Sequence, residues 1–464
     1  MQFEEEYKSI AQHFEEVISS EDKLQIKDFL DDQNISDIVE LIDEYPEYDS
    51  QIIAGMSIHR AVNVFKLLEL SAQKEIIAKL PPNKLAALLN ELPADDRTDF
   101  LEELSGTAVR DLIKLLNPEE RKITLSLLGY PENSIGRLMN PDYVYVYEHN
   151  TVAEVFEIIR KFGRNSDAIN VIYVINENDE LLDDLRIGEF ILSTPDVKVS
   201  ELMDDRVIAL NAFDDQETAN NIFKMNNRVA LPVVNNNNKL LGIVTIDDVL
   251  WVAEEEFTED IQKMGGLEAL NEPYLETPFL QLIRKRSFWL VLLFIGEMLT
   301  ATAMSFFEDE IAKAVVLALF IPLIISSGGN SGSQASTLVI QAMAVGEITI
   351  KDWWRILKRE FYSGLFLGAI LGCIGFLRIT LFTFIFPNLY GPHWISIAFT
   401  IGVSLVGVVL WGSLIGSMFP IILKKFGLDP AVSSAPLVAT LVDVMGIVIY
   451  FSIAFLFLHN LFNL

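Results

Sequence analysis

Hydrophobic positions follow two regimes along this chain, and the regimes meet near Ser287. Before it, apolar residues recur at helical spacing or alternate with polar ones in short runs, the pattern of elements that bury one face and wet the other. After it, apolar residues run on almost unbroken. A bilayer core of about 30 Å needs roughly 20 apolar residues in helix. Five segments reach that length: Phe288 to Phe307, Ile311 to about Val345, Phe361 to Phe386, Trp394 to Leu423, and Ala431 to Phe462. The second is too long for one simple span, and its stretch IPLIISSGGNSGSQAST predicts a helix interrupted around Pro322, Gly328, Gly329 and Gly332. Small residues there suit a close helix crossing, and freed backbone and amide groups suit a hydrated path; the two readings are compatible. Gly364, Gly368 and Gly372 have the spacing of close helix packing.

The first regime subdivides. Residues 20 to 130 carry helical periodicity broken about every dozen positions by Pro81, Pro93, Gly106 and Pro118, which predicts short stacked helices. Residues 137 to 192 and 201 to 251 form an internal repeat: RLMNPDYVYVYEHNTVAEVFEII parallels ELMDDRVIALNAFDDQETANNIF, and VIYVINENDELLDDLRIGEFI parallels ALPVVNNNNKLLGIVTIDDVL. Each copy reads as strand, helix, two strands around a polar turn, and helix. This resembles the paired cystathionine-beta-synthase (CBS) module, a regulatory fold. The second copy carries Gly242, Thr245 and Asp248 in the pattern Gly-x-x-Thr-x-x-Asp, which in that family can hold a nucleotide ribose. That makes Thr245 and Asp248 candidate nucleotide contacts, with ATP as the ligand.

Charge sharpens the division. The 464 residues are 51% hydrophobic, with mean hydropathy +0.32 and a formal net charge of -30 that sits almost wholly before Ser287. An acidic soluble half repels nucleic acid and attracts cations. The single cysteine, Cys373, lies in an apolar run, so neither a disulfide framework nor a cysteine metal site is expected. The start MQFEEEYKSI lacks the basic and apolar stretches of a signal peptide, so the first half is expected in the cytoplasm. Arg284, Lys285 and Arg286 precede the first span; Lys351, Arg355, Lys358 and Arg359 follow the second; Lys424 and Lys425 follow the fourth. The connectors at Glu308 to Glu310 and Pro387 to Pro392 carry almost no positive charge. The expected topology is multi-pass, with the N-terminus inside and the C-terminus outside.

Two sets of carboxylates carry candidate chemistry. Asp443 lies about twelve residues into the fifth segment, or ~18 Å at 1.5 Å per residue. A charge there costs ~2.5 to 3.5 kcal/mol on insertion scales, and no basic residue in that segment can pair with it, which favours a cation site over a protonated Asp bonded to a neighbouring helix. Glu297 in the first segment and Arg378 in the third are expected to neutralise one another. The second set is cytoplasmic: Asp95, Asp96 and Asp99 in LPADDRTDFLEEL, and Glu254, Glu255, Glu256, Glu259 and Asp260 in WVAEEEFTEDIQKMGG. Any one of these acids suits a solvated surface. Several acidic surfaces facing one another require cations, and Mg2+ fits as a hard ion that prefers oxygen ligands and keeps much of its water. The acidic helix leads past Pro273 and Pro278 into the first span. The spans hold no His or Cys array suited to Co2+ or Ni2+, with His393 and His459 at span ends, and no HExxH motif occurs, so a metalloprotease is excluded. No enzymatic activity is expected.

The order of parts resembles the MgtE family of magnesium channels over nearly the whole chain. The residues that carry the resemblance run from Pro322 to Ser336, with Gly329, Asn330 and Gln334; they include Asp429-Pro430, Pro436 to Asp443, and the Asp-Arg-x-Asp element from Asp96 to Asp99. The implied fold is multidomain, α and α+β. An acidic helical superhelix domain occupies 1–132, tandem CBS domains 133–198 and 199–256, a connecting plug helix 257–283, and a five-helix transmembrane domain 284–464. The resemblance implies a homodimer in the plasma membrane of a prokaryote, embedded in lipid, with its pore between subunits. That pore is lined by Gly329, Asn330, Gln334, Pro436 and Asp443, with Asp443 and the Ala439 carbonyl at hydrated Mg2+. By position, Asp95, Asp99, Asp247, Asp248, Glu255, Glu256 and Glu259 correspond to sensor ligands at which cytoplasmic Mg2+ closes the pore. Where some members carry Asn two turns before Asp443, this chain has Ala435.

Overall fold

The computed structural model describes residues 2–458 other than 20, 21, 165, 167, 271–273, 276, 309, 310, 312–314, 387 and 388. Pro273, Asp309, Glu310, Pro387, His459 and the predicted continuation of the fifth segment to Phe462 lie outside the described residues. Contacts divide the chain into two units, Met1–Glu256 and Phe257–Leu464.

The first unit begins with short helices, and the residues expected to break the periodicity stand at their starts. Pro81 and Pro93 cap Pro82–Glu91 and Ala94–Glu102, Gly106 opens Gly106–Ile113, and Pro118 opens Pro118–Leu127. Proline suits these positions because a first-turn N–H has no helical acceptor to lose. The apolar faces close on a core that includes Leu30, Ile38, Leu41, Ile52, Val64 and Phe65, all fully buried.

The repeat folds twice into the same three-stranded sheet. Strands β1 (Tyr145–Tyr147), β2 (Val171–Ile175) and β3 (Leu181–Arg186) form one, and β4 (Leu210–Asn211), β5 (Ala230–Val234) and β6 (Leu240–Thr245) the other. In each, the first strand pairs parallel and the third antiparallel with the central one, and the register slips at the same place, Val174/Ile175 and Val233/Val234. The polar turns match as well, with Asp179 and Asn238 both at positive φ. The two turns bond to each other: Leu181 N donates to Asn238 O at 2.9 Å and Leu240 N to Asp179 O at 3.0 Å. Tyr173, Ile175 and Leu181 of one copy share a core with Ala230, Val234 and Ile243 of the other.

Among the described residues of the second unit, five helices are long and apolar enough to cross a membrane: Phe279–Ser305, Val315–Ala344, Ile350–Ile385, Trp394–Lys425 and Ala435–Phe457. The expected interruption of the second span is observed at Pro322 but not at the glycines. The span breaks at a turn, Leu319 and Phe320, between helices Val315–Ala318 and Ile321–Ala344, with Pro322 in the first turn of the latter, and then runs unbroken to Ala344. The glycines inside it serve contact: Gly328 and Gly332 lie against the backbone of Gly412 and Gly416 in the fourth span, so close that a Cβ at Gly412 or Gly416 would overlap a second-span carbonyl. The Ser331 hydroxyl pairs with that of Ser413 at 2.8 Å across the same contact. The third span meets the fourth in the same way, a Cβ at Gly372 falling 2.6 Å from Gly402 O. Without a hydrophobic drive between helices in lipid, such backbone approach is what holds spans together.

Candidate functional site

The fifth span starts later than its apolar pattern suggests. Pro430–Val432 form a short 3-10 turn capped by Asp429, whose Oδ1 accepts from Ala431 N at 2.8 Å. The helix proper starts at Ala435, with the Ser434 hydroxyl accepting from Leu437 N and Pro436 in the first turn. Asp443 therefore stands about 12 Å along this helix at 1.5 Å per residue. Serines of the second span take up carbonyls at its start: Ser333 Oγ donates to Ala435 O at 3.1 Å and Ser336 Oγ to Ser433 O at 2.9 Å. The two spans then converge at Gly329, where a Cβ would lie 3.4 Å from Ala439 Cβ and 3.7 Å from Asp443 Oδ1. Gly329, Ala439 and Asp443 are thus brought together, with Asp443 half-buried. Asn330 and Gln334 stand exposed on the second span, and Asn330 Nδ2 reaches Ser326 Oγ at 3.4 Å. Pro436, seven residues before Asp443 and so on the same helix face, lies 3.3 Å from where a Cβ on Gly266 would be.

The expected pairing of Glu297 with Arg378 is replaced by another arrangement. Arg378 lies over the rings of Phe320 and Phe382, 5.6 Å from each centroid, where a cation meets the negative faces of two aromatic rings. Glu297 instead lies beside Asp443, close enough for the two carboxyls to interact. Opposite charge alone predicted the first pairing, but the faces of the helices decide: Glu297 is one residue from Gly296, which packs against Thr440, one turn before Asp443. Two carboxylates therefore share one locale in the spans, each with an insertion cost of ~2.5 to 3.5 kcal/mol when charged. The signal in the sequence was a second intramembrane acid, which by default marks a functional site.

The acids of the first unit are organised around Arg97. Its fully buried guanidinium donates to Leu89 O, Leu92 O, Thr124 Oγ1 and, at 2.5 Å, Glu120 Oε2, tying Ala94–Glu102 to the helices on either side. An Arg137–Glu102 ion pair joins the same helix to the start of the CBS pair. Asp95 is buried and accepts from Asn140 Nδ2 at 3.1 Å, while Asn140 exchanges two 2.8 Å backbone bonds with Ile243 of β6. The adjacent Gly242 is needed for that approach, since a Cβ there would lie 2.7 Å from Asn140 O.

This scaffold sets the acidic helix against the start of Ile246–Met264, the connecting helix, which continues unbroken from the second CBS copy. Burial pushes the Asp99 carboxyl up to about 7, and Glu255, Glu103, Asp96 and Glu102 add repulsion. Burial pushes Asp248 up to about 7 as well, against the hydrogen bond from Thr245, with Asp247 and Asp96 adding repulsion. Thr245 Oγ1 donates to Asp248 Oδ2 at 2.5 Å, so the ribose-binding pattern is closed on itself and caps the helix. Asp99, Asp248 and Glu255 therefore converge with Asp96, which packs 3.6 Å from Lys66; Asp247 is exposed beside them. Asp95 stands apart on Asn140, and Glu256 accepts from Gln216 at 3.4 Å. In the second unit, Lys263 holds Glu259 at 2.5 Å and Asp429 at 2.7 Å. Burial works against the Lys263 charge, but hydrogen bonds to Asp429 and Glu259 outweigh it and raise the ammonium pKa. Lys263 four residues after Glu259 was a legible helical ion pair; Asp429 as a third member was not.

Comparison with known proteins bears on all these parts. Family sequence models match residues 321–453 (MgtE, divalent cation transporter), 33–133 (MgtE intracellular N domain), and 135–185 with 199–255 (CBS domain). The chain is 33% identical over 454 residues to a magnesium transporter MgtE of Thermus thermophilus, covering 97% of this chain and 99% of that protein. It is 31% identical to one of Bacillus subtilis, covering 94% and 98%. Among solved structures, the cytosolic domain of the Mg2+ channel MgtE in complex with ATP matches with TM-score 0.51 at 31% identity, covering 52% of this chain and 99% of that one.

Proposed function

This chain belongs to the MgtE family, and from that premise we propose that it conducts Mg2+ across the plasma membrane of a prokaryote and closes when cytoplasmic Mg2+ is abundant. The observation that carries the reading is Asp443, a carboxylate in the fifth span beside Gly329 and Ala439, with no described basic partner. Asp443 and the Ala439 carbonyl receive hydrated Mg2+, and Gly329, Asn330, Gln334 and Pro436 line the path. The working form is a homodimer in lipid with the pore between subunits, N-termini inside and C-termini outside. Inward flux requires no ATP hydrolysis, because the membrane potential supplies ~2.3 kcal/mol per charge per 100 mV.

Closure follows from the cytoplasmic acids. Asp99, Asp248 and Glu255 cannot stay charged and packed together without cost, and Mg2+ offsets that cost by binding only the packed form, with Asp95, Asp247, Glu256 and Glu259 as further candidate ligands. Mass action then favours the packed form as Mg2+ rises. ATP at Thr245 and Asp248 is a second reading, favoured by the related cytosolic domain solved with ATP; binding would require Asp248 to release Thr245. The test of the pore is Mg2+ uptake into liposomes holding purified full-length protein. Asp443→Ala and Asp443→Asn should abolish uptake, and undiminished uptake in both would refute the pore.

A further inference from the structure

The resemblance that points to Asp443 says nothing of the residue beside it. Glu297 comes from a different span, and its place is set by backbone packing: Gly296 lies so close to Thr440 that a side chain between them would not fit, which brings the next residue to the level of Asp443. The Glu297 carboxyl lies within interaction distance of that of Asp443. Arg378, the counter-charge that opposite sign suggests, lies over Phe320 and Phe382 instead. Gly329 closes the opposite side, within a methyl group of Asp443 Oδ1.

We infer that Glu297 is a selectivity-determining residue of the pore, placing a second carboxylate beside that of Asp443 and so supplying the second negative charge that favours divalent over monovalent cations. The inference rests on Asp443 being the pore residue proposed above. Its logic is Coulombic. Attraction scales with the product of charges, so adding a second carboxylate deepens the well for a 2+ ion by twice as much as for a 1+ ion. The requirement for two oxygen-rich groups on facing helices suits a hard cation that keeps its water.

The experiment uses full-length protein in liposomes, with wild type, Glu297→Gln, Glu297→Asp and Asp443→Asn compared for half-saturating Mg2+, maximal Mg2+ flux, and Na+ leak when Mg2+ is withheld. Glu297→Gln should raise half-saturating Mg2+ by about tenfold and raise the ratio of Na+ leak to Mg2+ flux by a similar factor. Glu297→Asp keeps the charge and should retain most of the discrimination. A lower maximal flux in Glu297→Gln with half-saturation and ion ratio unchanged would mean that Glu297 only packs, and would overturn the inference. Should the Gln variant fail to assemble, the Asp variant decides: an ion ratio as poor as that of Asp443→Asn overturns it. Loss of flux in Asp443→Asn with a wild-type ion ratio in Glu297→Gln removes this inference alone, whereas unchanged flux in Asp443→Asn removes the pore reading beneath it.

Discussion

Replacing Asp99 by Asn removes a carboxyl that the packed cytoplasmic unit holds at about 7, against the ordinary 3.8. Such a group favours the packed arrangement fully below about pH 3.8 and progressively less as pH climbs toward 7, because only the loosened form ionises freely. At 1.36 kcal/mol per pH unit the full cost at pH 7 is about 4 kcal/mol. Asp99 is surrounded by protein yet stands on a face that solvent still reaches, so screening reduces this to roughly 2 kcal/mol. That is about a thirtyfold shift in the packing equilibrium. Hydrogen exchange of residues 94–103 and 246–256 reads it directly. Without Mg2+, wild type should be more protected at pH 5.5 than at pH 8, and Asp99→Asn should be more protected than wild type at pH 8 and lose less protection between the two. Adding Mg2+ should flatten the wild-type pH dependence while changing the Asn variant less. Protection independent of pH without Mg2+, or a variant as labile as wild type at pH 8, would refute the reasoning.

Lys263→Met should free the end of the connecting helix from Asp429, at a cost of roughly 1 kcal/mol for a partly buried, charge-assisted bond; Mg2+ flux should then persist at cytoplasmic Mg2+ that closes wild type, with Lys263→Glu combined with Asp429→Lys restoring closure. Arg97→Met leaves the carbonyls of Leu89 and Leu92 without their buried donor, while the partly exposed Glu120 can turn to water, and should cost about 2 to 3 kcal/mol, seen as a lowered first transition in thermal unfolding and as weaker Mg2+ protection of residues 94–102.

What the sequence made legible is what local chemistry controls. Span lengths, the repeat, and helix starts at Pro93 and Pro118 depend on nearby residues and came through. The facing of one helix on another did not. The GGNSG run looked like a broken helix because glycine has two uses, and only the fourth span's Gly412 and Gly416 show that close contact is the one served. Glu297 and Arg378 looked like partners because opposite charge ignores which way a helix is turned. Among the acids, Asp95 looked like its neighbours Asp96 and Asp99 until Asn140 took it out of the group. The bond from Lys263 to Asp429 joins positions 166 residues apart, which no local pattern shows.

Current carried by Mg2+ through single purified channels in a planar bilayer, recorded while Mg2+ is raised on the side of the cytoplasmic unit, tests pore and sensor together. The account predicts a Mg2+ current in wild type that is absent in Asp443→Asn, and that falls as cytoplasmic-side Mg2+ rises but not as NaCl rises at matched ionic strength. A Mg2+ current that survives in Asp443→Asn, or one that cytoplasmic-side Mg2+ and NaCl suppress equally, would contradict it.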